Sequence, residues 1–98
     1  MRSYIFIYRS GPDPIPSDRV QENRQAWRIW STNLHEQYGL KGSTGKVVSS
    51  DGIADYSGNF RGASMVEAES LDAAVEIAKK SPNIPYGGSV DVIEEYQR

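Results

Sequence analysis

An α+β fold of order βαββαβ, with a four-stranded antiparallel sheet and two helices on one face, is predicted by three observations. Short β-branched and aromatic runs at residues 4–8, 46–49, 63–68 and 89–93 carry strand signals. Apolar stripes at helical spacing follow only the first and third of these runs. No repeat, low-complexity tract or linker divides the chain, so residues 1–98 read as one domain. This order is the ferredoxin-like, split-βαβ arrangement.

The first run is Tyr4-Ile5-Phe6-Ile7-Tyr8, which ends at Ser10-Gly11-Pro12. Tyr4, Phe6 and Tyr8 fall on one face and Ile5 and Ile7 on the other, so both faces are apolar. Such a strand belongs in the middle of a sheet covered on both sides. Three prolines between Gly11 and Pro16 stop it and bar a helix there. Helix signals then begin, with Ser17 or Asp18 as N-cap and Gln21 completing a capping box from Asp18. Val20, Trp27, Trp30, Leu34 and Tyr38 extend one stripe, and Gly39 is the expected stop, which makes a helix of about five turns.

Lys46-Val47-Val48-Ser49 is the second expected strand, and Asp51-Gly52 a turn. Residues 53–61 read as a loop or irregular hairpin end, and residues 63–68 as the third strand. Ser70 caps the second helix, Asp72 and Lys79-Lys80 suit its dipole, and Leu71, Ala74, Val75 and Ala78 form its stripe. Pro82 ends it. Residues 83–88 form a loop in which Gly88 is expected at positive φ, and residues 89–93 are the last strand.

Two amphipathic helices cover one side of four strands, yet the first strand is apolar on both. No element remains for the second side. A second copy packed sheet against sheet is the economical cover, so a homodimer through the open sheet face is expected.

The chain contains no cysteine, which excludes disulfide frameworks, thiolate nucleophiles and Cys-ligated zinc. Eleven basic residues against thirteen acidic ones supply no field to attract phosphate, which argues against nucleic acid as a partner. No apolar run approaches the ~20 residues of a membrane span, and residues 4–8 are too short for a signal peptide. A cytoplasmic protein without membrane partner, cofactor or metal is the expectation.

The lone histidine, His35, sits beside the first helix's stripe and is a candidate base, set against a solvated histidine. Asp13, Asp51 and Asp55 are loop carboxylates, and Asp51 reads first as turn chemistry. Residues 39–46 resemble a phosphate loop but fail its spacing, because Leu40 stands where a glycine is needed and Val47 where Ser or Thr is. Trp27 and Trp30 beside Arg24 and Arg28 read as a buried pair with snorkelling arginines. Tyr8 and Arg9 end the first strand, and Asn83 and Tyr86 precede the last. Neighbouring antiparallel strands bring these four to one rim, where an arginine, an amide and two phenols suit a small anion.

The chain resembles the YCII-related family. The resemblance rests on Tyr4-Ile5-Phe6-Ile7-Tyr8-Arg9, Ala26-Trp27-Arg28-Ile29-Trp30, and Gly62 with Ser64-Met65-Val66-Glu67-Ala68. The most specific stretch runs from Ser81-Pro82-Asn83 to Gly87-Gly88-Ser89-Val90-Asp91-Val92. It implies a dimeric α+β barrel of ferredoxin-like protomers. In some members it implies small-molecule chemistry such as dehydrochlorination, with a His and an Asp proposed as catalytic. Here Ser81 and Asn83 replace the family's Cys and frequent His, and Asp51-Gly52-Ile53-Ala54 departs from its Asp-Gly-Pro-Phe run. An asparagine orients a ligand but cannot shuttle a proton.

The expected function is a small homodimer that binds a polar or anionic molecule through Tyr8, Arg9, Asn83 and Tyr86, with Trp30 as a wall. The alternatives are a lyase or isomerase that uses Asp51 or His35, and a structural or regulatory dimer without ligand.

Overall fold

The computed structural model describes every residue except Gln37, Gln97 and Arg98. Its elements are β1 (Arg2–Arg9), α1 (Val20–Leu34), β2 (Tyr38–Lys41), β3 (Lys46–Ser49), β4 (Gly52–Asp55), β5 (Phe60–Ala68), α2 (Leu71–Ala78) and β6 (Ser89–Glu94). Short 3-10 turns stand at Ser17–Arg19 and Ile84–Tyr86. The main sheet has order β2-β5-β1-β6 and all its pairings are antiparallel, the ferredoxin-like topology with two helices. β3 and β4 form a separate two-stranded ribbon.

The period-2 pattern of β1 sets the layers. Tyr4, Phe6 and Tyr8 are buried, and with Val66, Ala68, Ala74 and Ala78 they form the core. Trp27, Trp30, Leu34, Ile77, Val90 and Val92 close it from the helices and β6. Ile5 and Ile7 point to the opposite face and are only half-buried. Cross-strand register places Ala63, Met65, Ile93, Tyr38 and Leu40 on that same open face. Tyr38, Leu40 and Ile93 there are exposed.

Helix α2 follows its sequence signals, and the Ser70 hydroxyl accepts the Ala73 N–H at 3.1 Å. Helix α1 does not follow all of its own. It starts at Val20 after the 3-10 turn, with no side-chain cap, so the Asp18–Gln21 capping box is not formed. It stops at Leu34, where His35 adopts a left-handed conformation (φ 52°). Tyr38 and Gly39 therefore belong to a strand, and Gln37 lies outside the described residues.

Strand β2, not residues 46–49, is the fourth strand of the sheet. Residues 46–49 pair with Gly52–Asp55 instead, so the stretch read as a loop supplies a strand. Four-residue runs such as these, without a polar–apolar alternation, carry weak register information. Positive φ falls at Gly52 and Gly87, while Gly88 is constrained differently: a Cβ there would lie 2.5 Å from the Arg9 carbonyl oxygen. No helix among the described residues is long and apolar enough to cross a membrane.

Candidate functional site

Strand β1 separates the candidate residues by its alternation. Tyr8 points to the helices and Arg9 to the open face. The structure therefore joins them into two groups on opposite sides of the sheet.

On the helix side the indole N–H of Trp30 donates to Tyr8 Oη at 3.0 Å. Tyr8 Oη donates to Ser64 Oγ at 2.8 Å, and Ser64 Oγ donates to Glu36 Oε2 at 2.5 Å. These bonds make a directed chain that ends on a carboxylate. The Tyr8 ring meets Trp27 edge-on at 5.0 Å. Burial pushes the Tyr8 hydroxyl above its ordinary value, and its hydrogen bonds with Ser64 and Trp30 partly oppose this. Trp30 is thus a partner of Tyr8 and does not wall the rim around Arg9.

On the other side Arg9 is built into the end of β1. Its Nε donates to Asp91 Oδ2 at 2.9 Å and its Nη1 to Asn59 Oδ1 at 3.1 Å. Asp91 opposes Ile7 in the register, so it reaches Arg9 diagonally on the same face. A bulge in β5 shifts the pairing between Tyr8 and Arg9, so that Arg9 faces Phe60. Unbroken register from Tyr8–Gly62 would set Arg61 opposite Arg9, with like charges directly across from each other. The bulge exchanges that charge for an aromatic ring.

The result is an open depression of about 590 Å³, lined by Arg9, Phe60, Tyr56 and residues 42–45. The Phe60 ring lies against Gly42, where a Cβ would meet it at 2.7 Å. Tyr56 Oη accepts the Phe60 N–H at 3.0 Å, which holds the Tyr56 ring at the same depression. With about a third of its side chain exposed, Arg9 keeps its Nη2 free of any hydrogen bond among the described residues. A partly exposed fork held from behind by a carboxylate and an amide can hold an anion in front.

Asn83 does reach Arg9, but through the backbone. Its Nδ2 donates to the Arg9 and Ser89 carbonyls, both at 2.8 Å, and its Oδ1 accepts Ser81 Oγ at 2.5 Å. The Ser81-Pro82-Asn83 run is a clasp that ties the end of β1 to the start of β6. Tyr86 is half-buried in the 3-10 turn, near Arg19. Asp51 is exposed in the β3–β4 turn, and His35 is exposed at the end of α1. Among the described residues no group of three or more His, Asp or Glu side chains is arranged to hold a metal ion.

Sequence reading missed Glu36, Ser64, Asn59, Tyr56 and Phe60. The first two meet through a side-chain hydrogen bond between residues 28 apart in the chain. Phe60 enters through a bulge that no periodicity announces. An aromatic pair spaced by four across Ser57-Gly58-Asn59 was the available signal for Tyr56 and Phe60.

A family model for the YCII-related domain matches residues 1–97. No curated protein matches the chain. Among solved structures, one similar fold is a 5-chloro-2-hydroxyhydroquinone dehydrochlorinase from Burkholderia phenoliruptrix, in complex with 2,5-dihydroxybenzoquinone. It is 20% identical, with a TM-score of 0.60, over 97% of this chain and 93% of that one.

Proposed function

The chain belongs to the YCII-related domain family, and from that premise we propose that it binds a small planar anion, as a homodimer, in the depression around Arg9. One observation carries this reading: Arg9 is held by Asp91 and Asn59 with Nη2 left over, beside the rings of Tyr56 and Phe60. The guanidinium supplies charge and the rings supply a flat apolar wall. Asn83 acts by holding the Arg9 backbone, and Tyr8 with Trp30 supports β1 from behind. The apolar open face, with Ile5, Ile7 and Met65, supports the homodimer. The fold likeness to a protein solved with a dihydroxybenzoquinone makes that compound, ionised at neutral pH, a reasonable first probe.

The test is isothermal titration of benzoate and 2,5-dihydroxybenzoquinone into the wild type, Arg9→Gln and Phe60→Ala. Saturable binding that weakens at least tenfold in both variants is expected. Equal affinity in Arg9→Gln, or no binding of either probe or of a wider panel of small carboxylates, overturns the assignment.

A second reading is catalysis of a lyase or isomerase kind, with Asp51 or His35 as base. What keeps this reading open is the fold likeness to a dehydrochlorinase; Asp51 itself is exposed at the far turn of the β3–β4 hairpin and does not line the depression. Its test is turnover of a bound probe by Asp51→Asn and His35→Ala, and activity that survives both removes it.

A further inference from the structure

We propose that the β3–β4 hairpin is an arm that packs its Val48–Ile53 face onto the open sheet face of a second copy of this chain. The proposal rests on the homodimer reading and adds to it the element that holds the copies together at their flanks.

Every residue of both strands is exposed, and Val48 and Ile53, directly paired across the ribbon, are 76% and 74% exposed. A two-stranded ribbon of four-residue strands is marginally stable at best in water. Something must hold it, and among the described residues the backbone bond at its foot is the Tyr56 N–H donating to the Gly45 carbonyl at 2.9 Å. The radius of gyration is 14.8 Å, against the ~12.6 Å expected for this length. The molecule is a plate only 19 Å thick in its short dimension, so the excess lies in its plane. The arm reaches outward from the protomer.

Its occupant follows from continuity and from charge. Residues 45 and 56, at the foot of the ribbon, line the depression around Arg9, and Arg9 lies on the open face. The arm therefore springs from the border of the surface that lacks cover. Two stacked, twisted sheets cross at an angle and cover their centres better than their flanks. The flanks of this open face carry Tyr38, Leu40 and Ile93, which are 65%, 46% and 45% exposed. The arm offers matching apolar surface. Its Lys46 and Asp55 neutralise each other in an ion pair, leaving Asp51 as its sole unpaired charge among the described residues. A ribbon with a single leftover negative charge at its turn and an apolar Val48–Ile53 face suits an apolar flank and not a nucleic acid.

The experiment is sedimentation equilibrium on the full chain from about 0.1 to 100 μM, on the wild type and on Val48→Glu/Ile53→Glu. Val48→Ser/Ile53→Ser serves as a second, milder variant, and far-UV circular dichroism reports folding of all three. The wild type is expected to dimerise, with Kd raised about a hundredfold or more by the Glu pair and at least tenfold by the Ser pair. A wild-type dimer whose Kd is unchanged in the folded variants overturns the arm and leaves the homodimer standing. A wild type that stays monomeric to 100 μM overturns both.

Discussion

Replacing Tyr8 by Phe removes one oxygen from the middle of a buried chain of hydrogen bonds and leaves the packing intact. The ring keeps its edge-on contact with Trp27, so no cavity term enters. Ser64 still donates to Glu36 and loses only an incoming bond. The Trp30 N–H loses its acceptor at 3.0 Å and is left facing a ring edge. Leaving one donor unsatisfied costs about 1–3 kcal/mol, and a value near ~2 kcal/mol is expected here because Trp30 is only partly buried. For a domain of this size that lowers the melting temperature by about 8–16 °C. Urea denaturation measures it, with the midpoint falling and the slope unchanged. Ser64→Ala supplies the second side of a double-mutant cycle, in which the two losses should fall short of adding. A loss under ~0.5 kcal/mol, or strict additivity with Ser64→Ala, would show that the chain from Trp30 to Glu36 does not operate as one unit.

Gly88→Val should cost at least ~3 kcal/mol, because its Cβ would meet the Arg9 carbonyl at 2.5 Å and Asn83 at 2.9 Å; thermal denaturation reads this, and a change under ~0.5 kcal/mol would refute it. Asn83→Ala unties the clasp, leaving the Arg9 and Ser89 carbonyls without their shared donor, and should cost about 2–3 kcal/mol. Hydrogen exchange at the β1–β6 pairing would show where that stability is lost. Raising the pH tests the position of Tyr8. Its folded-state value lies above the ordinary tyrosine value, so its contribution is complete below ~10 and is lost as pH rises through the folded value. Absorbance at 295 nm should show the buried Tyr4 and Tyr8 phenols ionising late and together with unfolding, and Tyr8→Phe should remove part of that component. Ionisation of all six tyrosines in one step near pH 10 would contradict it.

Much of the fold was legible because β1 writes its environment in alternation: three aromatic residues to the helices and two isoleucines to the other side. Ser70 and the stripe of α2 were equally direct. The misplaced strand has a physical reason. Tyr38-Gly39-Leu40-Lys41 has no strong local preference and becomes a strand only by pairing with β5. Gly39 looked like a helix stop, whereas the helix ended earlier through His35 in a left-handed conformation that only three-dimensional context shows.

The site divides along similar lines. Arg9 was legible as a charge at the end of an apolar strand, and strand adjacency correctly brought Asn83 to it. Alternation alone should have set Tyr8 and Arg9 on opposite faces. The partners Asn59, Tyr56 and Phe60 depend on a bulge in β5, and Glu36 on a side chain reaching back to Ser64. Such long-range meetings leave no local pattern in a sequence.

The place where a small anion binds is the most direct test of the depression around Arg9. A titration of benzoate into isotopically labelled protein, followed by amide and arginine Nε shifts in two-dimensional NMR, reads that location residue by residue. Saturable shifts are predicted at Arg9 Nε and at the amides of Gly42, Gly45, Tyr56 and Phe60, with the α2 amides unmoved. Shifts confined to Tyr86, Arg19 or α2, or no saturable shift at any concentration reached, would contradict it.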